Sequence, residues 1–119
     1  MSLEMPDTSG PDTATDLVTA TRPLAGHHGE AAAFLKAASH EGRLMILCYL
    51  LAGERSVTEL EHLLGQRQAA VSQQLARLRL EGLVSTRRDG KAVYYTIGDA
   101  RVQGLVQFLG GLFARDWHA

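Results

Sequence analysis

Residues 56–97, SVTELEHLLGQRQAAVSQQLARLRLEGLVSTRRDGKAVYYTI, leave the rest of the chain little freedom. They predict a helix, a tight turn, a second helix and a two-stranded hairpin. Ser56 followed by Glu59 is a capping box, in which each side chain satisfies a free amide at a helix start. Val57, Leu60, Leu63 and Leu64 then fall at helical spacing, and Gly65 stands where a helix closes in the left-handed region. A second helix is predicted from about Gln68 to Leu80, ended by Gly82, with Val71, Leu75 and Leu78 as its buried stripe. Its exposed face carries Arg67, Gln68, Ser72, Gln73, Gln74 and Arg77. Arginine pairs in bidentate fashion with guanine and glutamine with adenine. An ordinary solvated face would show more Glu and Lys.

The hairpin extends the same reading. Asp89 and Gly90 form a dipeptide that favours a two-residue type I′ turn, between the strand formers of residues 83–86 and 93–97. That register places Arg88 and Lys91 directly opposite each other, and like charges so placed destabilise a hairpin. A phosphate between them explains the pair; a plain solvated turn is the alternative. The whole reads as a winged helix-turn-helix, mainly α with a β-hairpin wing, that docks on double-stranded DNA.

Charge distribution supports this where net charge does not. The formal net charge is −1, which alone argues against nucleic acid. Between Arg67 and Lys91, however, six basic residues (Arg67, Arg77, Arg79, Arg87, Arg88, Lys91) face two acidic ones (Glu81, Asp89). The first 26 residues carry Glu4, Asp7, Asp12 and Asp16 against Arg22. A basic patch confined to the candidate element is the footprint of a DNA reader. At 119 residues the chain is expected to form one domain with a modest core, working as a dimer. A single cysteine excludes an intramolecular disulfide framework and fits a reducing cytoplasm. No apolar run reaches transmembrane length and the acidic start lacks a signal peptide's basic region, so a soluble protein with no membrane partner is expected.

Residues 1–26, rich in Thr, Asp, Pro and Gly, are expected to be a disordered acidic arm with a short helical piece around Thr15 to Thr21. Residues 27–119 form the domain. His27 and His28 are adjacent and lack partners at ligand spacing, so a solvated pair is favoured over a metal site. Ala31, Ala32, Phe34, Leu35 and Ala38 give an Ala-rich helix suited to close helix packing. Residues 43–51, RLMILCYLL, are apolar almost all round and predict a helix buried on every side, with Cys48 inside it. After the hairpin, Gly98 and Asp99 cap a last helix whose stripe is Val102, Leu105, Val106, Leu109, Leu112 and Phe113. Gly104, Gly110 and Gly111 each cost roughly 1 kcal/mol relative to Ala in a helix, a cost that close approach of another helix offsets. This helix and the Ala-rich one are therefore read as a two-fold interface, which Trp117 either finishes or leaves frayed.

The succession RLMILCYL, SVTELEHLLG, QAAVSQQLARLRLEGLV and RRDGKAVYYTI resembles the ArsR/SmtB family of bacterial winged-helix repressors, over about residues 34–113. The resemblance implies five helices and a homodimer through the first and last of them. It places the recognition helix in the major groove and the wing over the backbone, with an inducer releasing the operator. Arg67 stands where the family usually has a Ser that starts the recognition helix, and His40 where Asp or Asn is common. Metal-sensing members carry a Cys-x-Cys pair on the third helix or Asp/His clusters on the last. Here there is a lone His62, with Asp99 and a distant His118, so no metal and no cofactor are expected. Cys48 occupies the position of the reactive cysteine in the HlyU/BigR/SqrR-like branch, which links two cysteines on meeting reactive sulfur or oxidants. The second cysteine is absent at Ala114. Cys48 is then a one-thiol sensor, the remnant of a lost switch, or an inert buried thiol.

The leading expectation is a dimeric repressor. Gln68, Ser72, Gln73, Gln74 and Arg77 would meet bases or nearby phosphates, with Arg67 adding a cation near them, while Arg87, Arg88 and Lys91 hold the backbone. Two such helices would need an inverted repeat with half-sites roughly 34 Å apart. The alternative from another class is a protein-interaction module with the acidic arm as its partner segment. An enzyme is the weakest reading, since no nucleophile, phosphate loop or carboxylate pair stands out.

Overall fold

The structure, a computed structural model, describes residues 13–114. The first twelve residues of the expected acidic arm, Trp117 and His118 lie outside that range. The chain divides into two compact units between residues 33 and 34, later than the boundary expected from composition. In the first unit, the short helical piece expected around Thr15 to Thr21 is present as helix α1 (Thr13–Thr21), and a 3-10 turn (Arg22–Leu24) follows it. His27 is not simply solvated: its Nδ1 lies 2.9 Å from Glu30 Oε1.

From residue 34 onward the order is helix, helix, short strand, two helices, hairpin, helix. These are the rest of α2 (His28–Ala38), then α3 (Glu41–Ala52), β1 (Arg55–Ser56), α4 (Val57–Leu64) and α5 (Gln68–Leu80). Then come β2 (Val84–Asp89), β3 (Ala92–Ile97) and α6 (Arg101–Phe113). Six α-helices stand among the described residues where five were expected, α1 being the addition.

The core is built where the apolar periodicity puts it. Val71, Leu75 and Leu78 of α5 are fully buried, together with Ile46 and Leu47 of α3, Leu60 of α4 and Val102 of α6. Leu80, off the stripe, is 79% exposed. The expectation that α3 is buried on every side fails. Gly42, Ile46, Leu47 and Leu50 face inward, while Met45 and Cys48 are exposed. Uniform apolarity hides which side of a helix meets the rest of the same chain and which is left over.

The α4 start is held as the sequence requires. Ser56 Oγ accepts from Glu59 N at 3.2 Å, and Glu59 Oε1 accepts from Ser56 N at 2.8 Å. Ser56→Ala is expected to cost about 1 kcal/mol, read as a lower urea midpoint at unchanged slope. No change in midpoint would mean that water replaces the cap without loss.

The sheet corrects the hairpin twice. It has three antiparallel strands in the order β1-β3-β2, with Arg55 opposite Tyr95 and Ser56 opposite Tyr94; this two-residue first strand was not anticipated. The turn is also displaced by one residue. Asp89 pairs with Ala92 and Arg88 with Val93, so the turn residues are Gly90 and Lys91. Gly90 has φ +65° and Lys91 is not in the positive-φ region, the pattern of a type II′ turn, which favours Gly first. Arg88 and Lys91 therefore do not oppose each other, contrary to expectation, and no cross-strand repulsion between them calls for a phosphate.

Candidate nucleic-acid interface

The polar face of α5 is supplied by a helix that contains no acidic residue along its whole length. Arg67 precedes it in extended conformation (φ −75°, ψ 155°) and makes no side-chain cap bond. Losing a capping Ser or Thr costs on the order of 1 kcal/mol, and here it leaves a guanidinium at the start of the helix. Gln68, Ser72 and Gln73 are exposed beside it. Gln74 and Arg77, expected on the same open face, are instead half-buried.

The reason is the approach of α3. A methyl group built on Gly42 would lie 2.8 Å from Gln74 Nε2, so the bare glycine lets the Gln74 amide rest against the first turn of α3 where a larger residue would make it swing aside. His40 caps that turn, with Nδ1 accepting from Gly42 N at 3.1 Å. Arg43 donates from Nε to Ala37 O at 2.5 Å and from Nη2 to Lys36 O at 3.4 Å, closing the end of α2. His40, Arg43, Gln73, Gln74 and Arg77 together line a hollow of about 290 Å³. The nearest carboxylate to Arg77 is Glu81 Oε2, 4.0 Å from its Nε.

On the wing, Arg87 is committed within the chain. It donates to both oxygens of Glu54 at 2.8 and 2.6 Å and lies 5.0 Å from the Tyr94 ring centroid. That pairing raises the pKa of Arg87 and lowers that of Glu54. Arg88 and Lys91 are exposed, and no ion pair among the described residues holds either. The candidate residues thus fall into three places: Arg67, Gln68 and Ser72 on the outward face of α5, Gln73 (exposed at its edge), Gln74 and Arg77 at the hollow, and Arg87, Arg88 and Lys91 on the wing. The sequence pattern does not single out His40 and Arg43 at the hollow, nor Glu54 as partner of Arg87. Only His40, in a helix-start position, carries a local signal.

At the other side of α3, Cys48 opens onto an apolar groove of about 330 Å³ with Leu44, Val106, Leu109, Gly110 and Phe113. The inert reading of Cys48 as a buried thiol is therefore not tenable for the single chain. No group of three or more His, Cys, Asp and Glu residues suited to a metal occurs among the described residues. Nor does any helix there have the length and apolarity to cross a membrane.

The start of α6 supplies the pH-sensitive pair. Asp99 Oδ1 accepts from Arg101 N at 2.9 Å, and the Arg101 guanidinium reaches Asp99 Oδ2 at 2.6 Å while lying 5.1 Å from the Phe34 ring. The charge-assisted bond from Arg101, opposed by partial burial, holds the Asp99 pKa below its usual value. A lowered folded-state pKa gives stability that is complete above the unfolded value, about 3.9, and is lost as pH falls through the folded one. Asp99→Asn should therefore lose stability relative to wild type at pH 7 and converge with it in acid. A difference that stays constant down to acid pH would exclude the ion pair as its source.

A helix-turn-helix with an acid-free second helix, flanked by a three-stranded antiparallel wing, defines a winged-helix transcription regulator. Residues 40–86 match the bacterial regulatory protein, arsR family. The chain is 43% identical over 86 residues to the transcriptional activator HlyU of Vibrio cholerae, covering 72% of this chain and 80% of that one. It is 45% identical over 84 residues to a biofilm growth-associated repressor of Xylella fastidiosa, covering 71% and 74%. The crystal structure of the transcriptional repressor BigR from Xylella fastidiosa matches with a TM-score of 0.76 at 40% identity, covering 80% of this chain and 97% of that one. The chain belongs to the arsR family and is a DNA-binding transcriptional regulator.

Proposed function

We propose that this regulator is a cytoplasmic repressor that binds an inverted-repeat operator as a homodimer and leaves it when Cys48 is modified. The observation that carries DNA binding is the acid-free α5, whose outward Arg67, Gln68, Ser72 and Gln73 suit base edges and nearby phosphates. The exposed Arg88 and Lys91 suit the backbone beside it, and Arg87 joins them only by leaving Glu54. Of the two named relatives one is an activator and the other a repressor. Repression is the simpler reading, because it asks only that the bound protein obstruct the promoter.

Dimerisation through α2 and α6 is supported by the surface that α6 leaves open. Phe108 is 63% and Phe113 76% exposed, and nothing lies within 4 Å of a methyl built on Gly104, Gly110 or Gly111. Leu35 of α2 is also exposed. An apolar face of this size suits a partner helix better than water.

For induction, the Cys48 thiolate attacks an outer sulfur of a polysulfide, and the shorter polysulfide leaves with the electron pair. The product is a persulfide in the apolar groove. With one cysteine in the chain, the modification stays on a single thiol or bridges to another chain.

Fluorescence anisotropy tests the proposal, using reduced protein on DNA from upstream of its own gene and on a scrambled duplex, with sedimentation to give the oligomeric state. A dimer that prefers the upstream DNA, is released by polysulfide and is held in Cys48→Ser agrees with every part. Binding indifferent to polysulfide removes the thiol switch alone. A protein that binds neither duplex removes the repressor reading and leaves a protein-interaction module.

A further inference from the structure

We propose that the hollow between the first turn of α3 and the flank of α5 seats one backbone phosphate of the bound duplex. Arg77 and Gln74 then anchor the recognition helix and do not read bases. This rests on the DNA-binding reading above and extends its footprint to His40 and Arg43.

The chemistry of the lining selects an anion. Its five side chains are an imidazole, two guanidiniums and two amides, and none is a carboxylate. The His40 Nδ1 lone pair is occupied by Gly42 N, which in the neutral ring puts the proton on Nε2 and makes that atom a donor. Arg43 is pinned through Nε and Nη2 to carbonyls of α2, so its charge is fixed in place with Nη1 uncommitted. Arg77 makes only a long approach to Glu81 through Nε, leaving both terminal nitrogens uncommitted. Guanidinium groups presented in this way match the paired oxygens of a phosphate.

Position selects a phosphate of the DNA over a free one. The hollow shares Gln73 and Arg77 with α5, so it continues directly from the face that would enter the major groove. Phosphate contacts fix the register of a protein on a duplex and carry no sequence information themselves. The half-burial of Gln74 and Arg77 fits that role, since reading a base edge needs reach into the groove.

The test is anisotropy of wild type, Arg77→Gln and His40→Asp on the upstream duplex and on a scrambled duplex of equal length, across a salt series. Aspartate is itself a good helix cap, so His40→Asp keeps the α3 start while placing a carboxylate in the hollow. Each variant should bind both duplexes about tenfold more weakly, keeping their ratio, and Arg77→Gln should lower the salt slope by about one per protomer, about two for the bound dimer. Circular dichroism checks the fold. Should His40→Asp lose helical signal, Arg77→Gln decides alone. A loss confined to the upstream duplex, or no loss on either, overturns the phosphate seat while leaving DNA binding intact. Wild type binding neither duplex overturns both.

Discussion

Leu75→Ala is expected to lower the unfolding free energy by about 2–5 kcal/mol, a large part of what a domain of this size holds in reserve. Leu75 has no exposed surface and lies in the cluster shared by α3, α4 and α5. Its removal deletes burial and leaves a cavity that neighbours on three helices cannot easily fill. Leu80→Ala on the same helix is the control. At 79% exposure it should stay within about 0.5 kcal/mol of wild type. Urea denaturation of the two variants compares them directly. Similar midpoints would mean that α5 does not pack along the Val71–Leu75–Leu78 stripe.

The second large effect is on recognition. Gln68 and Ser72 stand one helical turn apart on the outward face of α5, clear of the hollow. Replacing both with alanine should cost about 1–3 kcal/mol for each base that the pair reads, on the upstream DNA only. Affinity for scrambled DNA and its salt slope should remain, so the ratio between the two duplexes collapses. This is the mirror image of the parallel weakening expected at the hollow. Equal weakening on both duplexes would place Gln68 and Ser72 on the backbone.

What the sequence makes legible follows the range of each interaction. The capping box of Ser56 and Glu59 is read within four residues, and the α5 stripe within eight; both stand as expected. The hairpin is recognisable but its register is not. Asp89-Gly90 and Gly90-Lys91 are both acceptable two-residue turns. The choice falls to pairings such as Arg87 with Tyr94 and Thr86 with Tyr95, which no local pattern announces. The same holds for β1, whose two residues find partners some forty positions later. Arg87 reads as free for DNA because its partner, Glu54, is 33 residues away. Cys48 illustrates a different limit. Apolar residues on all sides of α3 do not say whether a given side meets its own chain, a second copy or solvent. The hollow is hidden for the first reason: His40 and Arg77, far apart in sequence, line it together only because α3 packs against α5.

The strand order β1-β3-β2 leaves β2 as a long edge, with unpaired amides and carbonyls along one side. Such an edge can recruit a strand from any other chain, and folded proteins guard it with charge. Ser85, Arg87, Arg88 and Asp89 are exposed along it, so an incoming apolar strand would have to strip water from three charged groups to pair there. The wing is thereby protected against fibre-like self-association. Substitutions that neutralise Arg87 and Arg88 are then costly beyond any loss of affinity for nucleic acid, because they also unmask a sticky rim.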